Sequence, residues 1–215
     1  MKIAILGATG NVGSRTLKEA IAAGHTLVAY ARRPDAVGRL TGVTVVSGEL
    51  DDTDALAAAI SGADALIVTI TGPVRDNTFT QRTLPGIIKA AQDAGTGRLV
   101  LVSAFGAGDT ASKASGFARL IYRTALKGFL DDKAAAEKLL PASGLAWTIV
   151  YPVNLKDAPA LDSAAVKLLS NVRRVPGLPT LPFANAAKAL VEVTVNAEYT
   201  CQRVLVTTPA GWKPA

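Results

Sequence analysis

Seven residues near the start, Gly7-Ala8-Thr9-Gly10-Asn11-Val12-Gly13, place glycines at three-residue intervals between an apolar run and a helical pattern. That order suits phosphate chemistry. Gly7 permits a tight turn, Gly10 lets backbone approach a pyrophosphate, and Gly13 lets a helix pack closely on the preceding strand. The helix that follows offers unpaired N–H groups and the positive end of its dipole to an anion. A glycine triplet alone is an ordinary flexible turn, and its position between strand and helix is what points to a dinucleotide.

The second apolar run ends in Tyr30-Ala31-Arg32-Arg33-Pro34, where sites selective for NAD place an acid on the ribose 2′-hydroxyl. Two guanidiniums suit a 2′-phosphate instead, because arginine makes paired, charge-assisted hydrogen bonds to phosphate oxygens. The expected cofactor is therefore NADP(H), preferred over NAD(H). A solvated surface pair is the competing reading of Arg32 and Arg33.

Elements must hold these residues in place. Strands are expected at Lys2 to Leu6, Thr26 to Ala31, Thr44 to Ser47, Ala65 to Thr69, Arg98 to Ser103, Trp147 to Tyr151 and Arg203 to Thr207. Helices are expected near Val12 to Ala23, Thr53 to Ser61, Phe79 to Ala94, Phe117 to Leu140 and Ala184 to Asn196. The alternation gives an α/β fold with a doubly wound, mostly parallel sheet and helices on both faces. Gly24, Gly62 and Gly95 close helices. Residues 157–182 carry prolines and poor periodicity, and are expected to form part of the substrate side.

The bulk properties narrow the class. A chain of 215 residues with 49% hydrophobic and 19% charged residues can bury the core of one domain. Ile3 to Leu6 is too short for a signal segment, and no run is long enough to span a membrane. One cysteine, Cys201, allows no internal disulfide and is expected to be a small buried side chain; cytoplasmic residence follows as the default. The net charge of +6 comes from scattered residues, which argues against nucleic acid and would help to collect an anionic cofactor. His25 is the single histidine and precedes the second strand, away from strand ends, which disfavours histidine catalysis and metal sites.

Together G-A-T-G-N-V-G, A-R-R-P and the later S-G-L-A-W-T-I-V-Y-P resemble the atypical short-chain dehydrogenase/reductases, in particular their NAD(P)H-binding, NmrA-like branch, which includes biliverdin reductase B/flavin reductase. The resemblance implies a cofactor site of Gly7, Thr9, Gly10, Asn11, Val12, Gly13, Arg32 and Arg33, with Glu49-Leu50 along the adenine. Glu49 replaces the family's usual Asp. It further implies that Thr71-Gly72 pass the ribose, Ser103-Ala104 lie beside the nicotinamide, and Tyr151-Pro152-Val153 line the substrate side. Ser103, Lys133 and Tyr151 are the candidate catalytic residues. Lys133 matches the lysine of the family's D-K-x-x-x-E stretch and could steady negative charge; an exposed helix lysine paired with Glu137 is the competing reading.

No tyrosine in the chain is followed four residues later by lysine, so the proton exchange of typical short-chain dehydrogenases is not expected. Hydride transfer to a conjugated acceptor of flavin, quinone or tetrapyrrole type needs little proton assistance. The expected activity is an NADPH-dependent reductase of that kind, as monomer or homodimer. The alternative is a sensor that binds NADP(H) without turnover and reports to a protein partner. An epimerase would need an acid/base residue. The pairs Asp51-Asp52 and Asp131-Asp132 read as charges at helix N-termini.

Overall fold

The computed structural model describes residues 1–215. Apolar β-branched runs become strands buried on both faces, as a parallel sheet covered by helices demands. The strands are β1 (Lys2–Leu6), β2 (Thr26–Ala31), β3 (Val43–Ser47), β4 (Ala65–Val68), β5 (Arg98–Val102), β6 (Ala146–Pro152), β7 (Asn154–Lys156), β8 (Ala165–Leu168), β9 (Val172–Arg174), β10 (Thr180–Pro182), β11 (Gln202–Thr207) and β12 (Lys213–Pro214). The helices are α1 (Gly13–Ala22), α2 (Thr53–Ile60), α3 (Phe79–Asp93), α4 (Gly116–Arg123), α5 (Lys127–Glu137) and α6 (Phe183–Val195).

Eight strands form one sheet in the order β3-β2-β1-β4-β5-β6-β11-β8, parallel except for β8, which runs antiparallel to β11. The register sets Ile5 beside Ala29 on β2 and Ile67 on β4. Helix α1 packs with α6, while α3 packs with α2 and α5. The chain is a single α/β domain with a mostly parallel, Rossmann-like sheet, and one continuous apolar core runs through it. Strand order reverses between β1 and β4, which puts a crevice at their carboxyl ends.

Two expectations are corrected. The long helix expected from Phe117 to Leu140 breaks into α4 and α5 around Thr124, whose hydroxyl bonds back to the Leu120 carbonyl. Neither glycine nor proline marks the break. It lets α4 lay Tyr122 edge-on to Phe105 while α5 takes a separate path past α3. Residues 157–182, where periodicity gave no element, hold β8, β9 and β10, which pair with β11, β12 and β7 respectively. Cys201 is exposed and has a φ of 55°, because it forms the turn into β11. Gly24, Gly62 and Gly95 all take positive φ, as helix closure requires.

Candidate active site

The glycine turn is built by contact. Gly7 has a φ of 87°, and a Cβ there would lie 2.6 Å from Thr69 Oγ1. A Cβ on Gly13 would lie 2.2 Å from the Gly7 carbonyl oxygen, so only glycine lets α1 begin this close to β1. Thr69, just past β4, donates both its N–H and its hydroxyl to the Leu6 carbonyl, at 2.9 and 2.8 Å. These bonds bind the two strand ends flanking the crevice.

The Asn11, Val12 and Gly13 N–H groups find no acceptor in the chain, no side chain caps α1, and no acid stands in its first turn. That leaves a positive helix end open to an anion, which is the donor set a dinucleotide pyrophosphate needs. Thr9, Gly10 and Asn11 are exposed there, whereas Gly13 is buried. Arg32 and Arg33 follow β2, exposed and without an acidic partner. Below them the Tyr30 hydroxyl donates to the Glu49 carbonyl at 2.9 Å, its ring filling space a Gly48 side chain would occupy. Glu49 is exposed and Leu50 half-buried. Thr71 is exposed, and Gly72 is pressed against Phe79 at the start of α3.

The ends of β5 and β6 meet α5 in a buried polar network. Ser103 Oγ donates to Glu137 Oε1, and the Tyr151 hydroxyl donates to Glu137 Oε2 at 2.7 Å. Arg203 Nε donates to the Tyr151 hydroxyl at 3.0 Å, and its guanidinium also grips Asp109. Backbone bonds from Ser103 to Val150 and from Phe105 to Pro152 continue the strand pairing and fix Ala104 between them. Tyr151, Pro152 and Val153 are all buried. Tyr151 is 0% exposed, and its hydroxyl is engaged by Glu137.

Lys133 sits one turn before Glu137 on α5 and is only 3% exposed. The competing reading, an exposed lysine paired with Glu137, does not hold: no carboxylate lies within ion-pair distance, and its Nζ stands 5.2 Å from the centre of the Phe129 ring. Burial lowers the Lys133 pKa, against the upward pull of Glu137 and Asp132. Burial raises that of Glu137, against the opposing hydrogen bonds of Ser103 and Tyr151 and the charges of Arg203 and Lys133. The Tyr151 pKa is also raised, first by burial and then by the Glu137 charge.

Sequence reasoning missed three members of this network. Glu137 stood only as a helix-surface partner, and Arg203 and Asp109 lie on separate loops and strands that only the fold unites. Asp132, expected among N-terminal charges, lies in the interior of α5 and instead accepts from Thr80 and Gln81 N–H at the start of α3, at 2.8 and 3.0 Å. His25 lies by the amino terminus at the amino end of β2, away from the carboxyl ends of the strands.

Residues 7–196 match the NAD(P)H-binding family. The chain belongs to that family. The atypical short-chain dehydrogenase/reductase and NmrA-like resemblance of its motifs fits it. It is 30% identical over 175 residues to the uncharacterized sugar epimerase YhfK of Bacillus subtilis, spanning 77% of each chain. It is 28% identical over 177 residues to the photosystem II assembly factor Ycf39 of Synechocystis, covering 80% of this chain and 50% of that protein. Among solved structures, ChuY, an anaerobilin reductase from Escherichia coli O157:H7, superposes with a TM-score of 0.76 at 27% identity over 100% of both chains. A Veillonella parvula short-chain dehydrogenase/reductase in complex with NADP shares the fold, with a TM-score of 0.76 at 16% identity over 99% of this chain and 96% of that one. No helix here is long and apolar enough to cross a membrane.

Proposed function

We propose that the protein is an NADPH-dependent reductase that delivers hydride to a flat conjugated acceptor of flavin, quinone or tetrapyrrole type. The observation that carries this reading is Lys133: a buried lysine without an ion-paired acid, one turn from the Ser103–Glu137–Tyr151 network. Burying an unpaired cation is costly, which argues for a purpose at the site. Bound at the glycine turn, NADPH would supply the hydride.

The chain's own residues then have three tasks. The free N–H groups of Asn11, Val12 and Gly13 hold the pyrophosphate, and Arg32 and Arg33 take the 2′-phosphate, which favours NADPH over NADH. The second task falls to Lys133, which opposes the negative charge that grows on the acceptor. Ser103 is the hydroxyl at the end of β5, and Glu137 with Tyr151 and Arg203 fixes its orientation.

What stands beside Lys133 supports this acceptor class. Four residues earlier, where a Tyr-x-x-x-Lys pair would put a phenol, the chain has Phe129, so the proton donor of alcohol dehydrogenation is replaced by a bare ring. An acceptor whose reduced anion is already delocalised tolerates that loss. An epimerase does not, despite the name of the Bacillus subtilis relative.

A second reading, a sensor that binds NADP(H) without turnover, draws on the engagement of the Ser103 and Tyr151 hydroxyls with Glu137 and on a relative named as an assembly factor. One assay separates the two. Purified protein is given NADPH with FMN, FAD, simple quinones or biliverdin, and the reduced-nicotinamide absorbance is followed. Its decay with any acceptor supports the reductase, whereas NADPH binding with constant absorbance across the panel transfers the assignment to the sensor.

A further inference from the structure

Scattered basic residues gather in the fold. Arg119 on α4 and Arg173 and Arg174 on β9 line one open cleft of about 340 Å³ with Ser112 and Ala114. All three arginines are exposed, none forms an ion pair, and no carboxylate lines the cleft. Asp109, the acid on the same 3-10 turn as Ser112, is taken by Arg203. Its walls are fastened: the Val175 N–H donates to the Lys113 carbonyl at 2.8 Å, Lys113 Nζ donates to the Val172 carbonyl, and the Ser115 hydroxyl donates to the Gly177 carbonyl at 2.6 Å. Three guanidiniums held apart from any acid repel one another, so an anion is what such a cleft accommodates best.

The cleft adjoins the candidate active site through one short turn. Ser112 Oγ donates to the Asp109 carbonyl at 2.7 Å, Asp109 binds Arg203, and Arg203 reaches Tyr151. Phe117 and Leu120, both exposed on α4 around Arg119, add apolar surface on that side. We propose that Arg119, Arg173 and Arg174 seat the anionic arm, a phosphate or carboxylate, of a flat conjugated acceptor. The acceptor is that of the proposed reductase, and the proposal rests on that reading for its ring, while the anion preference is a property of the cleft itself.

The test uses two pairs of probes with one ring system each: FMN against riboflavin, and biliverdin against its dimethyl ester. Their binding to the NADP⁺-loaded protein is measured by fluorescence, for wild type and for Arg173→Ala/Arg174→Ala. The anionic member of at least one pair should bind tighter by about tenfold or more, the size of a lost charge-assisted contact. In the variant that advantage should vanish while the neutral member and NADPH bind as before, and inorganic phosphate should compete with the anionic member alone. The proposal is overturned if neither pair shows a preference, or if the variant weakens both members, or NADPH, equally. Binding is read without turnover, so an arginine-dependent preference with no NADPH oxidation would leave the cleft assigned and remove the reductase. Oxidation without a preference would do the reverse.

Discussion

Lys133 and Glu137 have opposite charges and opposite shifts, and both shifts begin with burial. Lys133 binds its proton less tightly in the folded protein than in the unfolded chain. Its favourable contribution exists only above the ordinary lysine range and is lost as pH falls through the folded value, so near neutrality the buried lysine is a net cost. Lys133→Met, which keeps the length and removes the charge, should therefore leave Tm equal or higher. At the same time kcat and kcat/KM should fall together by about a hundredfold, with the NADPH dissociation constant unchanged. A lower Tm with intact turnover would make the lysine structural. Glu137 runs the other way: its folded pKa is raised, so its contribution is complete below the ordinary glutamate range and declines as pH rises through the folded value. Glu137→Gln cannot titrate. Denaturation of both proteins from about pH 4 to about pH 8 should show the variant gaining on wild type as pH rises. A flat difference would mean that Glu137 is not held in this way.

At the scale of elements, α5 has separate duties along its length. Gly128 lets it approach Asn77, where a Cβ would lie 2.3 Å from the side-chain oxygen, Asp132 caps α3, and Lys133 and Glu137 reach the candidate site. Thr78, the residue preceding α3, makes no side-chain cap, so Asp132 does that work from another helix. Asp132→Ala should cost about 1–2 kcal/mol, measured by urea denaturation. Burial opposes the Asp132 charge, but the bonds from Thr80 and Gln81 outweigh it and lower the pKa. The stabilisation is present above the ordinary aspartate range and lost as pH falls through the folded value, so the two proteins should converge in acid. A constant gap would contradict the cap. This role explains part of what the sequence concealed. Periodicity located α1, α2, α3 and α6 because each has a local apolar stripe or a closing glycine. The break near Thr124 has no local signal, because distant contacts to Phe105 and Asn77 set the directions of α4 and α5.

Across the whole molecule, the glycine turn was legible because its chemistry is contiguous: strand, turn and helix follow one another from Lys2 to Ala22. The Ser103–Glu137–Tyr151–Arg203 network and the arginine cleft were not, since their members are scattered between residues 103 and 203 and meet only through the order of the sheet. Arg32 and Arg33 belong to the legible kind. They stand at the carboxyl end of β2, beside β1 and its glycine turn, and no acid neutralises them. Because both are exposed, exchanging them should leave the fold and Tm unaltered, so a changed affinity would report the ligand alone. Arg32→Asp/Arg33→Ala removes two cations that suit a 2′-phosphate and adds a carboxylate that repels it yet can accept from a 2′-hydroxyl. The ratio of NADPH to NADH affinity should drop by about tenfold or more, mainly through weaker NADPH binding, as measured by nicotinamide fluorescence at fixed ionic strength. An unchanged ratio would mean that the two arginines are a solvated pair and that cofactor choice is made elsewhere along the crevice.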